Sequence, residues 1–421
     1  MSLAVVASRN DVPTIEIDAD RLLADMRALA DFGKVGSGVH RRALGSVDMQ
    51  ARGWLADRMR AAGLTVEMDG VGNVIGRTPH ARRILIGSHT DTVPNGGWLD
   101  GAMGVIYGLE LARAFMAAGG GGEIGLEIVS FSDEEGCFAA LLGSHSFVGE
   151  MDREAMLDRV NEDGVRLADT LKAVGLADKA AARFDPAVHP AYLEAHIEQG
   201  PVLEAKGLPI GIVTTIVGVR GWKISFHGQA DHAGTTPMAM RLDAGAALCD
   251  FAVRIAAFCR RESGAHTVWN GGDIRLTPGA HNVVPERADY IFSFRDPSAA
   301  LLDRIAQEVE RLSSVVAAEH GVTSEAEQIF AMAPAAMDET LIGLMRDAAQ
   351  AEGAPSLDMP SGAGHDAMVL ARHVPTGMLF IPSIAGRSHH VAEDSAPEDI
   401  VTGARVMARA LTALCRTIAL P

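Results

Sequence analysis

The residues best suited to chemistry are histidines and carboxylates that directly follow short apolar runs. His89 and Asp91 come just after Ile84-Leu85-Ile86, and Asp100 follows shortly after them. Such a run indicates a buried strand of an α/β sheet, whose carboxyl end is the usual place for an active site. In an extended segment, Asp91 could hydrogen-bond one ring nitrogen of His89 and leave the other free for a metal. A histidine satisfied at a strand end explains this stretch alone equally well.

Similar residues recur at the ends of other predicted strands. They are Glu134 and Glu135 after residues 126–131, His196 in residues 192–197, and His389 with His390 after residues 378–381. Taken singly, the glutamates fit a solvated loop and His196 fits a buried core histidine. Together with His89 and Asp100, they supply the ligands that a carboxylate-bridged dinuclear metal site requires.

The elements that must position these residues follow an α/β pattern. Apolar periodicity predicts helices at residues 18–30, 47–62, 102–118 and 397–417, and strands at 64–68, 73–77, 126–131 and 376–381. Residues 151–183 have a polar, helical pattern that indicates a surface excursion. From about Val213 the order becomes βαββαβ, with separate strands near Val268 and at 274–276, which is typical of a ferredoxin-like insert. We therefore expect one catalytic domain from residues 1–212 and 330–421, and an inserted domain at 213–329.

Composition limits the classes of partner. With 37 Lys and Arg against 54 Asp and Glu, the formal net charge is −17, and the basic residues are scattered. This charge argues against a nucleic-acid or anionic-membrane surface and favours small molecules. The four cysteines form no CxxC pair, residues 1–10 carry no export signal, and no apolar run is long enough to span a membrane. We expect a cytoplasmic protein.

Over nearly the whole chain, the motifs resemble the M20 metallopeptidase superfamily, and within it the hydantoinase/carbamoylase family of amidases. The resemblance implies a di-metal catalytic domain with a mixed sheet flanked by helices, and an inserted dimerisation or lid domain. It implies that Glu134 is the general base and that Asp91 orients His89. The implied ligands are His89 and His196 for one ion, Glu135 and His389 for the other, and Asp100 between the two. His390 stays open as a substitute ligand, because His390-Val391-Ala392-Glu393 stands where the family more often has Asn-Pro-Ala-Glu.

The predicted insert carries a second set of matches. Residues 228–238 resemble the family's dimerisation-domain signature, whose histidine, here His232, polarises the scissile carbonyl in the partner subunit's site. Asn282 and Arg295 resemble the pair that holds the substrate carboxylate, and Gln199, Gly364 and His365 would complete the pocket around the ureido end. The plainer alternatives are a His232 that structures a glycine-rich turn and an Arg295 that pairs with Asp296.

The resemblance implies hydrolysis of the carbamoyl group of an N-carbamoyl-L-amino acid or a related ureido acid, giving amine, carbon dioxide and ammonia. Alternatives are an allantoate amidohydrolase, an aminoacylase or dipeptidase of the wider superfamily, and a non-catalytic relative that binds metal. The implied cofactors are two divalent ions per subunit, and the site chemistry suits zinc, manganese, cobalt or nickel comparably. The implied assembly is a homodimer formed through the insert.

Overall fold

The computed structural model describes residues 14–120 and 122–418. Residues 1–10, for which no export signal is predicted, lie outside this part. The chain divides into two compact units, one reaching Thr214 and resuming at Ala336, and the other spanning Thr215–Ala335. Within the described residues, no helix is long and apolar enough to cross a membrane.

The first unit contains most of the elements. Up to the second unit they are α1 Ala19–Ala30, β1 Lys34–Val35, β2 Gly38–Val39, α2 Ser46–Ala61, β3 Thr65–Met68, β4 Val74–Arg77, β5 Arg82–His89, α3 Ala102–Ala117, β6 Ile124–Phe131, α4 Leu142–Val148, α5 Arg153–Leu157, α6 Leu167–Ala173, β7 Tyr192–Ile197, α7 Val202–Lys206 and β8 Ile210–Ile216.

The second unit and the return to the first complete the chain. The second unit has β9 Gly218–His227, α8 Ala244–Glu262, β10 Val268–Thr277, β11 Arg287–Asp296, α9 Ala299–His320 and β12 Thr323–Met332. The return has β13 Ala335–Ala336, α10 Glu339–Ala351, β14 Ser356–Ser361, α11 Asp366–Leu370, β15 Thr376–Ile381 and α12 Pro397–Thr417.

The main sheet of the first unit is mixed. Its strand order is β13-β8-β15-β7-β5-β6-β4-β3, with β14 paired to β8. The central strands β15, β7, β5 and β6 run parallel, whereas β8, β4 and β3 pair antiparallel at the flanks. β6, β7 and β15 are buried along their whole length, as expected for parallel strands covered on both faces. Helices flank this sheet: α3 packs on β5–β7, α2 on β3 and β4, and α10 and α12 on β15.

The parallel strands explain where the polar motifs meet. His89 is the last residue of β5, Glu134 follows β6, His196 lies near the end of β7, and His389 follows β15. Because parallel strands bring their carboxyl ends to the same edge of a sheet, residues distant in sequence are assembled there.

Residues 151–183 are mostly exposed, as predicted for a surface excursion with helical pattern. The short helices α5 and α6 bury Met156, Leu167 and Leu171 in a small core that includes Leu44 and Phe138. These few buried positions were not predicted, because each helix is too short for a periodic apolar face to stand out among its polar residues.

The second unit has the predicted βαββαβ order and an antiparallel sheet in the order β10-β11-β9-β12. Its core forms where α8 and α9 pack on the alternate residues Trp222, Ile224 and Phe226 of β9. The two strands predicted near Val268 and at 274–276 are one strand, β10, with an irregular register between Gly271 and Asp273. The glycine pair there interrupts the side-chain pattern without ending the strand.

Candidate metal and catalytic site

Two groups of potential metal ligands share Asp100. His89, Asp100 and His196 form one buried group, and Asp100, Glu135 and His389 form the other; within each group the ligand atoms lie within 4.8 Å of one another. His196 Nε2 is 3.0 Å and His89 Nε2 is 3.7 Å from Asp100 Oδ1, whereas His389 Nε2 is 3.2 Å from Asp100 Oδ2. The two oxygens of one carboxylate therefore face different ligand groups, as a carboxylate placed between two cations would.

Hydrogen bonds set which nitrogen of each buried histidine faces the site. His89 Nδ1 lies 3.0 Å from the carbonyl oxygen of Asp91, and His196 Nδ1 lies 2.8 Å from that of Ile197. A carbonyl only accepts, so each Nδ1 carries the hydrogen and, in a neutral ring, Nε2 carries the lone pair. In agreement, the N–H of Gly101 donates to His196 Nε2 over 3.1 Å. These lone pairs face carboxylate oxygens, which is favourable only with a proton or a metal cation between them, so the donor set fits divalent metal ions.

The electrostatics of the cluster also indicate a shortage of positive charge. Burial and the neighbouring Asp100 raise the pKa of Glu135 to about 8. Burial disfavours the charged form of His196, but hydrogen bonding to Asp100 outweighs it and raises the His196 pKa to about 9. The hydrogen bond to Asp100 likewise raises the pKa of His389 to about 9. Carboxylates and histidines that retain protons in this way are groups whose protons a bound metal ion would replace.

Glu134 lies beside the ligands. Its Oε2 is 3.6 Å from His89 Nε2, and its side chain is 11% exposed. Burial and the nearby Asp366 raise the pKa of Glu134 well above its ordinary value. Once ionised, a carboxylate with a raised pKa is a stronger base, which suits proton transfer near neutral pH. Glu134 also forms a possible ligand group with His89 and Glu135.

Backbone strain is concentrated around the site. Asp133, Gln199 and His389 all adopt positive φ, at 58°, 57° and 54°. Each such residue costs on the order of 1 to 3 kcal/mol and persists only when its surroundings fix it. All three stand within or next to the predicted site residues, so this edge of the sheet is held in an unusual backbone conformation.

Asp91 hydrogen-bonds the His89 ring through its backbone and not through its carboxylate. The hydrogen bond to the ring comes from the Asp91 carbonyl, whereas its carboxylate Oδ1 is 3.9 Å from His89 Nδ1. The carboxylate instead faces the fully buried Arg52 at 3.5 Å and accepts from the N–H of Glu135 at 3.2 Å. Asp91 therefore orients one candidate ligand through its backbone and another through its side chain.

Two of the residues predicted for the ureido pocket, Gln199 and His365, lie close to the ligands. Gly364 is exposed and can offer only its backbone. Gln199 Nε2 donates to Asp100 Oδ2 over 2.9 Å and to Ser388 Oγ over 3.0 Å. The ring of His365 is 4.4 Å from that of His196, and burial lowers the His365 pKa well below its usual range. His390 lies outside the ligand groups of the described residues, and its Nδ1 accepts from Ala392.

His232, Asn282 and Arg295 belong to the second unit. His232 and Val283 form a bridge, and Ala233 donates to the carbonyl of Asn282, so the segments of His232 and Asn282 are neighbours. His232 Nδ1 accepts from the N–H groups of Gly234 and Thr235, which places the ring hydrogen on Nε2 and makes that atom a donor. Arg295 is exposed on β11, and the neighbouring Asp296 accepts from Thr267 and Ser298.

Two buried residues that touch this site were not predicted from the sequence. Arg52 binds Asp48 at 2.7 Å and faces Asp91, and Glu393 binds the backbone at Asp100. Arg52 sits in a helix whose pattern suggested only packing. Glu393 lies four residues after His389 and matches the last residue of the family's Asn-Pro-Ala-Glu, and these two signals could have indicated it.

Comparison with known proteins gives consistent matches over nearly the full length. A family model described as peptidase family M20/M25/M40 matches residues 85–413. The chain is 38% identical to the N-carbamoyl-L-amino acid amidohydrolase of Geobacillus stearothermophilus, covering 93% of this chain and 97% of the relative. It is 32% identical to the allantoate amidohydrolase of Escherichia coli (strain K12), covering 90% and 94%. Among solved structures, it is similar to a hydantoinase/carbamoylase family amidase from Burkholderia phymatum, with 44% identity, a TM-score of 0.89, and 96% and 99% coverage.

Proposed function

The chain belongs to peptidase family M20/M25/M40, and from that premise we propose that it is a metal-dependent amidohydrolase acting on the carbamoyl group of N-carbamoyl-L-amino acids. The overall reaction consumes one water and releases the amino acid, carbon dioxide and ammonia. The observation that carries the proposal is that two ligand groups share Asp100 and that the largely buried Glu134 lies beside them. The matching relatives named as N-carbamoyl-L-amino acid amidohydrolases support the substrate class.

The metal ions would be held by the residues of the two groups. His89 and His196 would bind one ion and Glu135 and His389 a second, with Asp100 contacting both. Bound divalent ions lower the pKa of water and polarise a carbonyl oxygen. The hydrogen bonds of His89 and His196 suit this role, because each holds a hydrogen on Nδ1 and leaves Nε2 as the atom that can bind an ion.

The side chains of this chain would supply the remaining steps. Glu134 takes a proton from the attacking water and later delivers it to the departing nitrogen, since its Oε2 lies 3.6 Å from His89 Nε2, the atom that would face the ion, whereas the Asp91 carboxylate lies on the Nδ1 side. Gln199, whose Oε1 is buried with no hydrogen-bond partner among the described residues, can accept from the N–H groups of the ureido end.

The second unit would bind the other end of the substrate. The planar guanidinium of Arg295 can bind the substrate carboxylate with two hydrogen bonds, and Asn282 adds a further one. His232, with its donor at Nε2, would stabilise the negative charge that develops on the carbonyl oxygen. The family resemblance implies that this histidine acts in the site of a second copy, which supports our proposal of a homodimer formed through residues 215–335.

A turnover screen tests the function. Purified protein loaded with zinc, manganese or cobalt is incubated with a panel of N-carbamoyl-L-amino acids, β-ureidopropionate and allantoate, and ammonia is measured. We expect release from at least one N-carbamoyl-L-amino acid, and its loss on chelation. Turnover of allantoate alone would assign the allantoate activity of the E. coli relative instead. Release from none of the three groups contradicts the proposal.

A further inference from the structure

Glu393 connects two chain segments that carry different candidate ligands. Its side chain is 2% exposed. Oε1 accepts from the backbone N–H groups of Leu99 and Asp100, over 3.1 and 3.0 Å. Oε2 lies 2.8 Å from the hydroxyl of Ser388, the residue before His389. The Glu393 carboxylate therefore binds both the backbone of Asp100 and the side chain of Ser388, which precedes His389.

The backbone around Gly97 leaves room for this carboxylate. A Cβ atom at position 97 would lie 1.8 Å from Glu393 Oε1 and 1.9 Å from its carboxyl carbon. Any side chain at that position would therefore expel the Glu393 carboxylate from its place beneath Asp100. The close approach of glycine and carboxylate is an independent sign that this region is shaped around Glu393.

The hydroxyl of Ser388 completes a closed set of hydrogen bonds. It accepts from Gln199 Nε2 at 3.0 Å and has one hydrogen to donate, for which Glu393 Oε2 at 2.8 Å is closer than Asp100 Oδ2 at 3.2 Å. His389, the next residue, has a φ of 54°. A strained residue keeps such a conformation only when neighbouring contacts fix it, and the Ser388–Glu393 bond is one such contact, on the adjacent residue.

We propose that Glu393 is a positioning residue for the metal site, holding Asp100 and His389 at the separation that lets both contact the same ion. The inference rests on the metal site of the proposed function. Glu393 itself donates no ligand atom; it acts through the Asp100 N–H and the Ser388 hydroxyl. Its removal therefore weakens metal binding without deleting a ligand.

Cobalt titration of purified full-length protein, followed by the visible absorption of Co²⁺ and by calorimetry, tests the inference. We expect Glu393→Ala to weaken Co²⁺ binding by about 10- to 100-fold and to alter the spectrum, as loss of residues that orient ligands typically does. Glu393→Gln can still accept from Leu99 and Asp100 and donate to Ser388, so its affinity should fall less than about tenfold.

Asp69 provides the matched control. It is also 2% exposed, and its carboxylate accepts from the backbone N–H groups of Val71, Asn73 and Ala182. Asp69→Ala removes a comparable buried carboxylate from a turn that holds none of the candidate ligands, so the folded protein should keep wild-type Co²⁺ affinity. Should Glu393→Ala not fold, Ser388→Ala breaks the same connection and should also weaken binding.

The outcomes separate the two proposals. Failure of the wild-type protein to bind Co²⁺ overturns the metal site itself. If the wild type binds but Glu393→Ala, or Ser388→Ala in its place, binds equally well with an unchanged spectrum, only the role of Glu393 is refuted. Equal weakening by Asp69→Ala also refutes it, because the effect would then reflect general loosening of the unit.

Discussion

Gly101 is the position where one added methyl group should most directly disable the metal site. Its φ is 62°, and a Cβ there would lie 2.3 Å from both Cδ2 and Nε2 of the His89 ring. An ordinary van der Waals contact begins at about 3.4 Å, so the ring would have to retreat by about 1 Å. Because His89 is buried, its ring has little room to move without disturbing its neighbours.

The expected effect of Gly101→Ala follows from two costs. The backbone of Gly101, with φ 62° and ψ −46°, costs an alanine on the order of 1 to 3 kcal/mol, which lowers stability. A shift of about 1 Å in Nε2 exceeds the tolerance of about 0.2 Å for a metal–ligand distance, so His89 would no longer bind the ion. We therefore expect at least a tenfold loss of metal affinity and a similar loss of turnover.

Metal content after dialysis, Co²⁺ titration and thermal unfolding with and without metal provide the assay. Gly53 within α2 is the matched control, because a Cβ there meets nothing within 4 Å and Gly→Ala inside a helix stabilises by about 0.5 to 1 kcal/mol. If Gly101→Ala folds and binds Co²⁺ as tightly as the wild type, His89 is not a ligand in the proposed geometry.

Three further outcomes are expected. Chelation should lower Tm, because metal at about 1,000 times its Kd contributes about 4 kcal/mol to stability, and an unchanged Tm would argue against a bound metal. Arg295→Lys should raise KM about tenfold with little change in kcat, since one lost charge-assisted hydrogen bond costs about 1.5 kcal/mol; an unchanged KM excludes Arg295 from the carboxylate site. For Glu127, contacts with His189 and two arginines outweigh burial and lower the folded pKa from 4.5 to about 2. Its carboxylate therefore stabilises the fold above about pH 4.5 and loses this effect as the pH falls towards 2, so Glu127→Gln should lower Tm more at pH 7 than at pH 3. Equal shifts at both pH values would refute that assignment.

Much of the fold was predictable because its strands and helices are marked by continuous apolar runs. The strand Thr376–Ile381 and the helix Pro397–Thr417 have the predicted bounds. The buried parallel strands concentrate Val, Ile and Leu, and the residues after them are polar because they reach the sheet edge. The same reasoning predicts that a set of five residues lies close together at this edge, and the ligand groups contain all five: His89, Asp100, Glu135, His196 and His389.

Contacts that depend on three-dimensional approach were beyond the sequence. The His89 ring hydrogen-bonds the backbone carbonyl of Asp91. Because every residue has a backbone carbonyl, the identity of residue 91 could not predict this contact. Glu393 lies 293 residues after Asp100 in the sequence, and only the fold brings its Oε1 to 3.0 Å from the backbone nitrogen of Asp100. The few buried residues of the short helices α5 and α6 were not predicted within this surface segment, because they form no recognisable period.

The most direct measurement compares wild-type protein with Glu134→Gln, each loaded with the same metal, by ammonia release from an N-carbamoyl-L-amino acid and by metal content. The amide cannot take the proton from water, and general base catalysis contributes about 10²- to 10⁴-fold. We expect kcat to fall by that factor while the metal content stays equal. Wild-type turnover in Glu134→Gln at equal metal content would contradict the proposed role of Glu134.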